Sequence, residues 1–366
     1  MVSGSHGLSM VVAGLALLVF LLSYVGTRQL ASLDSKLVLI DHPNERSLHT
    51  APTPRTGGLA ILGGWIAGLL LAQAAAWTGR PMWDETAQGG IGSWSWVVGL
   101  VLLLGAVSLW DDRKGLSPAV RLILHGLAAA GAVWGAGLVV EVVPVPFMGD
   151  LRLGPLATPL TLLGLMWMAN LYNFMDGMDG FAGGMSVLGF GMVGYLAWRG
   201  GAQQLALVAL LVAGAAGGFL IFNLPPARIF MGDVGSVSLG FLAGTLAILG
   251  VRDRVFDIWV PFMIFSPFIA DATVTLVRRL LHGAKVWQAH REHFYQRLVL
   301  AGWGHRKALI AEYYLMLASG AVTMLYVHEA EPVRAIILAG GLVAYVTLAW
   351  LVRAVELSAG KRRAEA

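Results

Sequence analysis

The chain has 366 residues, of which 57% are hydrophobic and only 13% charged, and its mean hydropathy is +0.72. Soluble domains carry about a quarter charged residues, so this composition excludes an ordinary soluble fold and indicates an integral membrane protein. The net charge of +4 is too small for a nucleic-acid footprint, and the lack of cysteine excludes disulfides and thiolate metal sites.

Continuous apolar runs of about 17–22 residues fit bilayer-crossing helices, not the ~10-residue alternating segments of a barrel. In chain order they centre near residues 8–25, 57–77, 94–110, 119–140, 157–173, 182–198, 204–222, 235–251, 257–277, 309–327 and 334–352. The predicted fold is all-α: a polytopic membrane helix bundle of eleven spans (ten is the alternative count), forming a single domain over 1–366. Val11 to Tyr24 has neither a basic leader nor a small-residue cleavage site, and is read as a first, retained helix. Glycines within the spans, such as Gly63, Gly64, Gly217 and Gly218, suit close helix packing in lipid.

The connecting loops alternate in charge. One side holds Arg28, Lys36, Arg46, Arg55, Arg113, Lys114, Arg121, Arg228, the run from Arg278 to Lys307, and the tail from Arg353 to Arg363. That is roughly three-quarters of all Lys and Arg, and the positive-inside rule makes this side cytoplasmic. The expectation is a multi-pass membrane protein, its N-terminus on the outer (periplasmic) side and its C-terminus cytoplasmic.

Acidic motifs cluster on the same side. A polar, proline-punctuated loop runs from Asp41 through His49 to Pro54, and Arg55 beside Gly57-Gly58 is a candidate anion contact. Asp111-Asp112, followed by Arg113-Lys114, comes directly after an apolar run. Adjacent carboxylates repel, which a cation, a proton or water relieves; the pair is either solvated loop charge or a Mg²⁺ and phosphate site. In Asn173-Phe174-Met175-Asp176-Gly177-Met178-Asp179-Gly180, two carboxylates stand three residues apart, on one face if the turn is helical. Asn170 and Asn173 extend that polar row. In the stretch Asn223 to Ser236, Asp233 opens the eighth span, either as a helix cap or beside N–H groups able to hold a phosphate. Asp271, inside the ninth span, reads as a packing or pairing group.

Residues 278–308 form a basic cytoplasmic loop or interfacial helix carrying His290-Arg291-Glu292-His293. It is either a membrane-surface segment or a grip on a diphosphate through Arg291, His290 and His293. Five carboxylates (Asp111, Asp112, Asp176, Asp179, Asp233) and a basic rim at one membrane face suit phosphoryl transfer between a soluble nucleotide-sugar and a membrane lipid phosphate.

These motifs, in this order at span ends over most of residues 40–300, resemble the polyprenyl-phosphate N-acetylhexosamine-1-phosphate transferases. That family includes the MraY and WecA enzymes, and the segment Pro43 to Gly58 is more similar to the WecA branch. The resemblance implies transfer of a sugar-1-phosphate from a UDP-sugar to undecaprenyl phosphate with release of UMP. It implies Mg²⁺ as cofactor (Mn²⁺ as substitute), with Asp233 and Asp112 as metal ligands. Asp111, Asp112, Asp176, Asp179, His290 and His293 take catalytic positions. Arg55, Lys114, Asn170, Asn173, Asn223, Phe230 and Arg291 contact substrate. The form His290-Arg291-Glu292-His293-Phe294-Tyr295-Gln296 departs from the denser histidines common in the family and resembles transferases that initiate O-antigen on deoxy-N-acetylhexosamines. A homodimer is also implied. Two other classes stand against this reading: an ion-coupled transporter, and a non-catalytic polytopic subunit. An MraY-type peptidoglycan-precursor transferase is the alternative within the family.

Overall fold

A computed structural model describes residues 2–32, 39–43, 51–76, 90–285, 288 and 290–364. The segments Asn44 to Thr50, with His49, and the position Ala289 lie outside the described residues.

The apolar runs fold as helices. α1 (Val2–Leu30), α2 (Gly57–Ala76), α3 (Gly90–Lys114) and α4 (Pro118–Ala130) come first. Next are α5 (Ala157–Met175), α6 (Phe181–Arg199), α7 (Gln203–Asn223) and α8 (Gly232–Arg252). α9 (Trp259–Ile264), α10 (Ser266–Leu281), α11 (Phe294–Leu298), α12 (Gly304–His328) and α13 (Val333–Ala364) complete the set. Local chemistry sets several boundaries. Ser117 caps α4 by accepting the Val120 N–H, and Pro118 sits where its missing N–H costs nothing.

Among the described residues, nine helices are long and apolar enough to cross a membrane. This all-α polytopic bundle matches the predicted class. Two of the eleven expected spans differ in character. The run 157–173 is helical as α5, but Asn170 and Asn173 dilute its hydropathy. The run 257–277 is broken between α9 and α10, where Pro267 opens a new helix in place of continuing the old one.

α8 is the axis of the bundle: every residue from Val234 to Gly250 is buried, packed by α2, α3 and α5. The outward faces of the other helices are apolar, as at Leu70, Leu103, Leu127 and Leu163. A perimeter of that kind suits lipid. Contacts between helix ends show that the C-terminal ends of α3, α5, α7, α10 and α13 lie at the same end of the bundle as the starts of α2, α4, α6, α8 and α12. At the other end sits the hairpin β3 (Val142–Val145) and β4 (Gly149–Arg152), its register pairing Val142 with Arg152. At the first end β1 (Ile40–Asp41) pairs with β2 (Thr53–Pro54).

Candidate active site

α3 continues through Asp111 and Asp112 to Lys114, so both carboxylates lie on its last turn and not in a loop. Asp111 Oδ1 accepts the Leu116 N–H at 2.6 Å, and its Oδ2 stands 2.8 Å from Arg121 Nε on α4. The same guanidinium reaches Asp233 Oδ2 at 3.6 Å, tying the ends of α3 and α8 together. Asp112 is almost enclosed, with its side chain 3% exposed. Arg55 Nη1 lies 3.5 Å from its Oδ1, and Arg55 Nη2 donates to its backbone carbonyl at 2.6 Å. Asp112 Oδ2 is buried without a hydrogen-bond partner. A buried carboxylate oxygen left bare is costly unless something binds it.

Asp233 stands in the first turn of α8 but does not cap it; the cap position is Met231, which makes no side-chain cap bond. Its Oδ1 accepts from Asn173 Nδ2 at 2.9 Å, and the same amide donates to Ser236 Oγ at 3.0 Å. The preceding Gly232 has φ +70°, and a Cβ there would meet Arg55 O at 2.3 Å and Asp112 Oδ2 at 3.3 Å. Only glycine lets α8 start this close to Asp112. The turn is also stitched to the chain before α2: Phe230 N–H donates to Pro54 O at 2.7 Å, Gly57 N–H to Phe230 O at 3.0 Å, and Gly58 N–H to Met231 O at 2.8 Å.

Asp176 ends α5. Burial, followed by the Asp233, Asp112 and Asp179 carboxylates, holds it well above the usual carboxylate range. Asp179 is partly committed: its Oδ2 accepts the Ala227 N–H at 3.0 Å and lies 3.6 Å from His305 Nδ1. Asn223 acts as a brace. It is buried, its Oδ1 accepts the Gly180 N–H at 2.9 Å, and its Nδ2 donates to Ile229 O at 2.9 Å.

Of the segment 278–308 expected as a basic loop or interfacial helix, residues 278–281 close α10 and 304–308 open α12, while the described residues 290–293 are loop leading into the short α11. Asp271 organises it, accepting from His293 Nδ1 (3.1 Å), the Phe294 N–H (2.9 Å), the Tyr295 N–H (3.2 Å) and Thr275 Oγ1 (3.1 Å). His293 is consequently buried, its ring stacked near those of Phe174 and Tyr295. His290 is half-buried, its ring centroid 4.8 Å from that of His293. Burial, then His293 and Arg279, lowers its pKa to about 4, so it is neutral at pH 7. Arg278 and Arg279 both grip Glu292 between the two histidines. Tyr295 hydroxyl donates to Phe174 O at 3.1 Å, fastening the loop to the turn that carries Asp176.

Four candidates stand apart from the cluster or serve it indirectly. Lys114 is exposed at the end of α3 and makes no ion pair among the described residues. Asn170 Nδ2 bonds back to Met166 O within its own helix at 2.6 Å. Phe230 contributes backbone bonds to the Pro54–Gly57 stitch. Arg291 lies half-buried in the histidine loop. Arg121 and His305 join the site without having been singled out by the motifs. Arg121 sits ten residues past Asp111 on the next helix; the Ser117-Pro118 helix start between them was the available signal.

Comparison with known proteins fits this geometry. The sequence profile of glycosyl transferase family 4 matches residues 94–251. A probable undecaprenyl-phosphate N-acetylglucosaminyl 1-phosphate transferase of Bacillus subtilis is 33% identical over 281 residues, covering 76% of this chain and 74% of its own length. The chain belongs to glycosyl transferase family 4. A decaprenyl-phosphate N-acetylglucosaminephosphotransferase of Mycobacterium tuberculosis is 30% identical over 85% of this chain and 82% of its own length. The undecaprenyl-phosphate alpha-N-acetylglucosaminyl 1-phosphate transferase of Escherichia coli K12 is 26% identical over 80% of this chain and 78% of its own length. This protein is therefore a multi-pass membrane enzyme of the phosphotransferase type, which removes the transporter and non-catalytic readings.

Proposed function

We propose that this enzyme transfers N-acetylhexosamine-1-phosphate from a UDP-sugar to undecaprenyl phosphate at the cytoplasmic face of the bacterial inner membrane. The products are UMP and undecaprenyl-diphosphate-linked sugar, the first lipid-linked intermediate of a cell-surface polysaccharide such as O-antigen. The observation that carries this reading is the bare, buried Oδ2 of Asp112 beside Asp233, in a pocket where carboxylates from three helix ends converge. N-acetylglucosamine is the favoured sugar, because the relatives compared above are named for it.

The reaction balances simply. An oxygen of the lipid phosphate forms a bond to the sugar-bearing phosphorus, the bond from that phosphorus to the bridging oxygen breaks, and UMP leaves with the electron pair. Asp112 is placed to take a proton from the acceptor phosphate, Arg55 and Arg121 to balance carboxylate charge at the pocket rim, and Asn173 to fix the rotamer of Asp233. His290, neutral at pH 7, is a hydrogen-bonding partner for the diphosphate and not a permanent cation.

The donor set also suits a hard divalent cation. Among the described residues no three His, Asp or Glu side chains form a complete cage, and Mg²⁺ characteristically takes one or two carboxylates and fills its sphere with phosphate oxygens and water. Asp112 and Asp233 are the residues that would hold it. When bound, it would neutralise charge on the diphosphate.

The test is direct. Membranes containing the protein, supplied with Mg²⁺, undecaprenyl phosphate and a panel of radiolabelled UDP-N-acetylhexosamines, should release UMP and give one labelled lipid. No labelled lipid with any sugar would sink the proposal.

A further inference from the structure

A second charged region at the same end of the bundle takes no part in the acidic pocket. The last turn of α10, α11 and the last turns of α13 border two adjoining open recesses of about 730 and 410 Å³. Arg278, Arg297 and Glu356 line both. The larger adds Arg353 and His282, and the smaller adds Arg291 and Glu292. Four arginines against two glutamates leave a surplus of positive charge. Arg297 holds Glu356 through both carboxylate oxygens, at 2.6 and 2.5 Å, and Arg278 holds Glu292 at 3.0 Å. Arg353 is exposed next to Glu356, with no ion pair among the described residues.

The position of this cluster is as informative as its charge. The apolar surface of α13 ends at Trp350 and Leu351, just before Arg353, and α10 ends in the exposed Leu280 and Leu281. Interfacial tryptophan followed by arginine marks the boundary between hydrocarbon and headgroups. Leu357, largely exposed, lines the larger cavity, and the exposed Leu281 immediately precedes His282, which also lines it. A basic recess bordered by exposed leucines just beyond that boundary suits a phosphate at headgroup depth whose attached chains continue into the bilayer, and such recesses between membrane helices bind anionic headgroups. A soluble phosphate would gain nothing from the leucines.

We propose that the recess between α10, α11 and α13 binds the headgroup of an anionic phospholipid, with Arg353 as its uncommitted cation and Arg278 and Arg297 as its walls. Occupancy bears on the histidine loop, because Arg278 grips Glu292 and Arg297 lies on α11.

The full chain in phosphatidylcholine nanodiscs, titrated with phosphatidylglycerol and followed by native mass spectrometry, tests this without turnover. One saturable phosphatidylglycerol is expected. Arg353→Gln should weaken its retention about fivefold, the scale of one cation at an anionic surface. Arg28→Gln, at the same end beside Pro54 and Arg228 and outside the recess, should leave it unchanged. Equal weakening in both variants would mean diffuse surface attraction and would overturn the site, as would equal retention of phosphatidylcholine. One-for-one displacement by undecaprenyl phosphate would also overturn it, making the recess a station for the acceptor lipid. None of these outcomes touches the transferase reading.

Discussion

The two ends of the bundle treat charge in opposite ways. At the end bearing β3 and β4, the part-buried charges Arg252, Asp253, Asp257 and Arg334 are answered locally. Arg252 pairs with Asp253 at 2.9 Å and donates to Ser93 Oγ at 3.2 Å. Asp257 accepts from the Tyr326 hydroxyl and the Trp259 N–H, each at 2.9 Å, with Arg334 3.7 Å away. At the other end Asp112 keeps a bare oxygen and Asp176 is crowded by three carboxylates. Saturated charge holds helices in place; unsaturated charge waits for a ligand.

The sharpest way to break this contrast is to neutralise the unsaturated groups. Asp112→Asn or Asp233→Asn should lower kcat by roughly 10²–10³-fold, the scale of removing one preorganised electrostatic group, while the yield of folded protein in membranes stays at the wild-type level. Full turnover in either variant would remove that residue from the mechanism. Arg121→Gln cuts the bridge between Asp111 and Asp233 and should cost about tenfold or more in kcat/KM, with Arg121→Lys restoring only part of it because lysine lacks the fork that reaches two carboxylates.

At the saturated end the expectation reverses. Asp257→Asn should leave kcat untouched and destabilise the fold by about 1–3 kcal/mol, as a hydrogen-bonded charge is lost from around Tyr326 and Arg334. Thermal unfolding of the purified protein, set against its turnover, reads both. The smallest effect concerns His290. Its folded pKa of about 4 lies below the ordinary 6.5, so the folded state holds its proton less tightly than the unfolded chain. Its contribution to stability is complete above pH 6.5 and fades as pH falls from there towards 4. In His290→Gln, the slope of Tm against pH should flatten across that window; an unchanged slope would count against the assignment.

The pocket was legible where chemistry is local in sequence. Asp111-Asp112, Asn173 with Asp176, and Asp233 sit at ends of apolar runs, where charge is expensive and so conspicuous. Other parts depend on distant packing. Arg121 is one of many basic loop residues until α3 and α8 meet around it. Asn223 and Asn170 advertised polarity near the pocket, yet the Asn223 amide is spent on a backbone carbonyl and an N–H group, and Asn170 is turned to Met166 O and the His125 side chain. Asp271 read correctly as a pairing residue, but its partner, the histidine loop, lies 22 residues away and emerges only in three dimensions. The break at Phe265 was hidden because α9 and α10 together are as apolar as one span.

Because the turn bearing Asp233 is stitched by three backbone bonds to residues 54–58, and a Cβ on Gly58 would fall 2.2 Å from Gly235 N, this wall of the pocket has no slack. The other side of the pocket is held differently: the Tyr295 hydroxyl meets Phe174 O and Asp271 gathers residues 293–295, with Gly302 (φ +97°) and Gly304 (φ +70°) following where α12 begins. Loosening the stitched turn, as a Gly58→Ala change would, should misalign Asp233 against Asp112.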